Sequence, residues 1–183
     1  HCAVGPKGSG KSFWAKKWAK TSRRRLLLFD ATGEYSSKGK EGIPGLVKFD
    51  GLRSYFEHIK GGGKAQKCAI QASWRTFDAF CRFAFNIGNC DVIIEEVSTY
   101  ASEAGKSRAF RDLCDRSRHQ NVRTLCIVSR PAFLPSFFRS QVDQWIIFKT
   151  QEPTDIDFWR KRAGNDAVSK ITKLKKYEHL NLS

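Results

Sequence analysis

The run Gly5-Pro6-Lys7-Gly8-Ser9-Gly10-Lys11-Ser12 has the spacing G-x-x-x-x-G-K-[ST]. Glycines placed this way let the backbone curl until successive N–H groups point inward, which makes a cradle for polyphosphate oxygens. In such a cradle Lys11 reaches the β- and γ-phosphates of ATP, and Ser12 offers its hydroxyl to a Mg²⁺ that bridges them. The run lies directly after the strand-like Cys2-Ala3-Val4 and directly before a helical pattern, so the helix adds its positive N-terminal end to the same site. A second constellation, Asp91-Val92-Ile93-Ile94-Glu95-Glu96, is an apolar strand that ends in paired carboxylates. Alternation along a strand makes neighbouring side chains diverge, so the two acids can take different tasks. Glu95 is assigned to the water shell of the Mg²⁺ and Glu96 to the polarisation of an attacking water.

These residues need a frame. Short apolar runs recur at Cys2–Val4, Leu26–Phe29, Cys68–Ile70, Val92–Ile94, Leu125–Val128 and Trp145–Phe148. Between them, Lys11–Lys20, Leu52–Ile59, Phe77–Ile87, Ser107–His119 and Asp155–Ala163 carry apolar residues three and four apart. Strands alternating with one-faced helices predict an α/β domain with a mainly parallel sheet whose strands are buried on both sides. The Gly33–Gly45 stretch and the Gly61-Gly62-Gly63 run predict loops.

The chain has 183 residues, enough for one domain with a sizeable core. Lys and Arg number 33 against 18 Asp and Glu, a net charge of +15, and the pI is about 9.8. A polyanion is the partner such a surface attracts, nucleic acid foremost. Residues 1 to 25 hold Lys7, Lys11, Lys16, Lys17, Lys20, Arg23, Arg24 and Arg25 without an acid, and a second basic cluster runs from Arg160 through Lys176. The loop Ser36-Ser37-Lys38-Gly39-Lys40 is a further surface able to grip phosphates without reading bases. Trp14 and Trp18, four apart on the first helix, read as packing rather than as a stacking platform. No apolar run approaches the roughly 20 residues that span a bilayer. Six scattered cysteines with no C-x-x-C pair point to reduced, packed thiols in a reducing compartment and to no zinc site. The chain holds no methionine and opens on a strand pattern, so a start of translation upstream of His1 is expected.

Three further stretches carry a family resemblance. Leu26-Leu27-Leu28-Phe29-Asp30-Ala31-Thr32-Gly33-Glu34-Tyr35 is a strand ending in Asp and a Gly-Glu-Tyr turn. Arg116-Ser117-Arg118-His119-Gln120-Asn121-Val122 is a basic helix end, and Leu125-Cys126-Ile127-Val128-Ser129-Arg130-Pro131 is a strand with a polar tip. Together with the phosphate motif they resemble the FtsK-HerA group of P-loop ATPases, including viral genome-packaging ATPases. The resemblance implies a three-layer α/β sandwich of the additional-strand, RecA-like type, as a single domain over 1–183. Its core would cover about 1–150, and a basic helical segment would cover about 151–183. It implies ATP hydrolysis with Mg²⁺, a homo-oligomeric ring acting on nucleic acid, most simply double-stranded DNA, and a capsid vertex protein as docking partner. The setting would be the host cytoplasm or the virion. Within the ring, Arg118 would reach the phosphate held by a neighbouring subunit, with Arg116 and Arg123 as substitutes, and Arg130 would support the γ-phosphate side or the ring interface. Ser129 would be the sensor at the γ-phosphate. The chain departs from the group's pattern in two places, Glu95-Glu96 for the commoner Asp-Glu and Ser129 for Gln. Two other functions fit the phosphate motif: a nucleotide kinase for a small acceptor, and a nucleotide-switched assembly factor.

Overall fold

The computed structural model describes residues 1–71, 73–97 and 107–183. Its strands are β1 (Cys2–Val4), β2 (Arg25–Phe29), β3 (Leu46–Phe49), β4 (Lys67–Ile70), β5 (Cys90–Ile94), β6 (Arg123–Val128), β7 (Trp145–Phe148) and β8 (His179–Leu182). They form one sheet in the order β3-β4-β2-β5-β6-β1-β7-β8, parallel throughout except for the β7–β8 pair. The helices are α1 (Lys11–Thr21), α2 (Leu52–Lys60), α3 (Trp74–Ile87), α4 (Arg108–Arg116), α5 (Ser136–Ser140) and α6 (Pro153–Lys173).

The period of two in the strands sorts the core into two layers. Cys2, Val4, Leu27, Phe29, Val92, Ile94, Cys126 and Val128 face the layer that also holds Phe77, Phe80, Phe110 and Trp159, from α3, α4 and α6. Their neighbours Ala3, Leu26, Leu28, Ile93, Leu125 and Ile127 face the other layer, with Ala15 and Ala19 of α1 and with Tyr35 and Ile43 of the long loop. Small residues at Ala3, Ala15 and Ala19 let α1 lie close to the sheet, and Trp14 and Trp18 pack against this layer. The expected packing role of the two tryptophans is what is found, with the Arg123 guanidinium set over the Trp18 ring.

Two elements depart from the sequence reading. The stretch after Gly45 forms β3, an edge strand with Val47 and Lys48 exposed, so its apolar signal is too thin to stand out. The helical segment expected over about 151–183 is helix only to Lys173, with a break at Gly164 (φ 82°). The chain then turns back as β8, antiparallel to β7, with Leu182 opposite Trp145 and His179 opposite Phe148. Its partly exposed alternation is that of an edge strand, where the other inner strands are buried on both faces.

All six thiols are free, and five are fully packed, with burial pushing Cys126 up to about 12 and Cys68 and Cys90 up to about 11. No described helix is long and apolar enough to cross a membrane.

Candidate nucleotide site

The loop after β1 and the ends of β2, β5 and β6 meet at the C-terminal edge of the parallel strands, where α/β sheets place their ligand sites. A cleft of about 920 Å³ lies there, lined among others by Lys7, Gly8, Gly10, Lys11, Ser12, Glu95, Glu96 and Ser129. Residues assigned from sequence to phosphate, metal and water thus share one cavity. Gly10 has φ 116° and caps α1, and a Cβ built on it would come within 2.8 Å of the Tyr177 ring. At Gly5 a Cβ would meet the Cβ of Phe148 at 2.8 Å, so both glycines are required by close approach as well as by backbone shape. The buried hydroxyl of Ser9 has no hydrogen-bond partner among the described residues, which suits a loop built around a polar ligand. Pro6, Lys7 and Gly8 form the exposed lip of the loop.

Lys11 is buried at 6% exposure and donates from Nζ to the Pro6 carbonyl at 3.0 Å, folded back on its own loop. Burial lowers its pKa, opposed by Glu96, Glu95 and Glu34. Glu95 is 2% exposed and accepts a hydrogen bond from the Tyr35 hydroxyl. Burial pushes its carboxyl up to about 7, with Glu96 and Glu34 adding to the rise, while the Tyr35 bond and Lys11 hold it back. The Tyr35 hydroxyl is in turn raised well above its ordinary range by burial and by Glu95. Tyr35 is placed by Asp30, whose buried carboxylate accepts from the Glu34 and Tyr35 N–H groups at 3.1 and 3.3 Å and so fixes the turn.

Glu96 leaves the strand with φ 52°, the left-handed region that a side chain such as Glu adopts only under constraint. That turn separates it from Glu95: its Oε2 accepts from the Ser129 hydroxyl at 2.9 Å. The family resemblance places Ser129 at a γ-phosphate; in this structure its hydroxyl is bonded to the carboxylate assigned to the water.

Glu95 and Ser12, both on the cleft wall, supply hard oxygen donors, and a desolvated carboxyl pushed up to about 7 gains most from a nearby cation. The donor set therefore fits Mg²⁺.

The arginines lie elsewhere. Arg118, in the 3₁₀ turn Ser117–Gln120, pairs with Asp143 at the N-terminal edge of the sheet, the far side from its own cleft. Arg116 pairs with Asp112 at 3.9 Å, and Arg123 chelates Asp91 with contacts of 2.8 and 2.6 Å. Arg130, next to Ser129, turns to the first turn of α6, donating to Thr154 at 2.7 Å and lying 3.2 and 3.1 Å from Glu152 and Asp155. It ties the end of β6 to that helix.

Sequence reasoning missed the support given to the acids by Tyr35, and missed Tyr177, Phe13, Thr32 and Glu41 on the cleft wall. Tyr35 had a local signal in the Asp30 turn. Tyr177 had none, because it arrives only through the pairing of β8 with β7.

Strand β6 lies between the phosphate-loop strand β1 and the acidic strand β5. That inserted strand, with the loop and the paired glutamates, defines the fold as a P-loop NTPase of the additional-strand type. No protein-family model matches the chain, and no curated protein matches it by sequence. Solved structures do match. The genome packaging NTPase B204 from Sulfolobus turreted icosahedral virus 2, in complex with ATP-gammaS, is similar with a TM-score of 0.73 at 20% identity, covering 98% of this chain and 89% of that one. Its sulfate complex gives 0.71 at 21% identity over 98% and 88%. EssC (ATPases 2 and 3) from Geobacillus thermodenitrificans gives 0.59 at 7% identity, covering 99% of this chain and 37% of that one. At these identities the likeness is one of fold, and it is the three-layer fold that the FtsK-HerA resemblance implied.

Proposed function

We infer that the chain is an ATP-hydrolysing motor domain that moves DNA, working as a homo-oligomeric ring in the packaging of a viral genome. The observation that carries this reading is the meeting of Lys11, Ser12, Glu95 and Glu96 in one cleft, with Ser129 holding Glu96 by a 2.9 Å hydrogen bond. The loop N–H groups and the start of α1 bind the phosphates, and Lys11 swings from the Pro6 carbonyl to the β- and γ-oxygens. Glu95 and Ser12 would hold Mg²⁺, which would neutralise charge on the phosphate oxygens. Glu96, outside the strand register and oriented by Ser129, aligns a water for in-line attack.

Arg118 faces away from its own cleft, so its part in hydrolysis requires a neighbouring copy and release from Asp143. Ring assembly then becomes a condition of fast turnover. The exposed charges of Lys38, Lys40, Lys161, Lys170 and Lys173 supply a surface for the DNA backbone. The packaging role, the DNA and a capsid docking partner draw support from the fold shared with B204 and from the +15 charge.

The test is ATP turnover of the purified protein across protein concentration, with and without double-stranded DNA, and with Lys11→Ala as control. Turnover that rises with both and vanishes in the control is expected. Turnover indifferent to both moves the assignment to a small-substrate phosphotransferase.

A further inference from the structure

The cleft has an apolar rim that the phosphate chemistry does not use. Phe13, the residue after Ser12, is 52% exposed, and Tyr177 is 57% exposed, yet their ring centroids are 6.1 Å apart and both line the cavity. Two large apolar rings left open to water beside a polar cradle are a cost to the empty protein unless a flat partner covers them.

The placement of Tyr177 is over-determined. Its φ is 71°, in the left-handed region that an aromatic residue rarely enters. Its N–H donates to the Ser9 carbonyl at 3.2 Å, so the strap between α6 and β8 is buckled directly to the phosphate loop. The ring crosses Gly10 so closely that a Cβ there would stand 2.8 Å from its Cδ1. The Lys176 ammonium lies 5.2 Å from the ring, and Lys175 N–H donates to the Glu178 carboxylate at 2.7 Å, closing the turn. His179, the first residue of β8, is anchored against Phe148 and Trp14.

We propose that Tyr177, with Phe13, is the platform on which the base of the bound nucleoside triphosphate stacks. The inference rests on the nucleotide-binding part of the proposed function and deepens it. The rings flank Gly10 and Ser12, where the phosphate chain must leave the cradle, and a base is a flat π surface that aromatic side chains hold largely regardless of sequence. An unpaired base of a nucleic acid has the same chemistry. The position on the wall of the phosphate cavity, rather than on an open basic face, favours the nucleotide.

The experiment measures the affinity of wild type, Tyr177→Ala and Tyr177→Trp for ATP and for inorganic tripolyphosphate, both with Mg²⁺. Stacking predicts that Tyr177→Ala weakens ATP by about tenfold or more, leaves tripolyphosphate unchanged, and that Tyr177→Trp restores ATP binding. Equal weakening of both ligands overturns the proposal, because Tyr177 then only shapes the loop through Ser9 and Gly10. Unchanged ATP affinity also overturns it, and if DNA binding falls instead the platform belongs to a nucleic-acid base. A wild type that binds no triphosphate sinks this inference together with the functional reading. A wild type with the stacking signature but no DNA-stimulated turnover keeps the platform and rejects the motor.

Discussion

Asp91 and Glu95 are buried carboxylates on the same α1-facing side of β5, about 13 Å apart at the rise of a strand. Asp91 opens the strand and is fully compensated: Arg123 chelates it, Arg24 lies 3.4 Å away and the Ser22 hydroxyl donates at 2.6 Å. Its partners also include the start of β6, so it fastens three segments at the N-terminal edge of the sheet. Glu95 closes the strand with a neutral tyrosine as its hydrogen-bond donor and with Glu96 and Glu34 adding repulsion. The arginines that could have neutralised it are spent at the other end or on α6. One end of β5 is built to hold the fold, and the other is left short of positive charge, the condition in which a bound cation would lower the cost of ionising the carboxyl.

The comparison can be broken at either end. The largest effect is expected at the cleft end, where Glu96→Gln keeps the shape and the Ser129 contact but removes the carboxylate proposed to align water. Steady-state ATP turnover should fall by roughly 10²–10⁴-fold, with nucleotide affinity and melting temperature retained. A variant that turns over as wild type does would take Glu96 out of the chemistry.

At the structural end, Asp91→Asn leaves Arg24 and Arg123 facing a neutral group and should cost roughly 3 kcal/mol of stability, read by urea unfolding. Turnover well below the unfolding transition should be nearly unchanged. If instead activity falls while stability holds, the two ends are not separate in function.

An effect that reaches its full size only above about pH 7 sharpens the contrast. Glu95 has a folded pKa of about 7 against 4.5 for an ordinary glutamate, so the folded state favours its neutral form. That stabilisation is fully present below about 4.5 and is lost as pH rises through about 7. Without nucleotide, wild type should therefore lose up to roughly 3 kcal/mol relative to Glu95→Gln across this window. Tyr35→Phe deletes the donor that pulls the pKa down, so its loss should run to higher pH. Parallel unfolding free energies for wild type and Glu95→Gln would show that the carboxyl is not perturbed.

Much of the site was legible beforehand because its chemistry is local. A P-loop is one contiguous turn between a strand and a helix, and its glycines and Lys11 must be adjacent in sequence to be adjacent in space. The alternation of β5 told that Glu95 and Glu96 diverge, and the apolar periods told which strands and helices alternate. Sequence spacing did not tell that Ser129 serves Glu96, since the two lie 33 positions apart and meet only when β6 is inserted beside β5. Nor did it tell which arginines are committed. Arg123, Arg118 and Arg130 look alike in a basic chain, and only the packed sheet gives them Asp91, Asp143 and the first turn of α6.

The C-terminal strap shows the boundary most clearly. A short, half-exposed edge strand carries too few buried side chains to print a hydrophobic period, so residues 174–183 read as the end of the basic helical segment expected over about 151–183. Sequence by itself determined the phosphate loop, the acidic strand end and the α/β alternation, because each depends on neighbours a few residues apart. Tertiary structure alone decided which carboxylate is neutralised, where Glu96 points and that Tyr177 covers the loop, because burial and electrostatic pairing are properties of groups brought together across the whole chain.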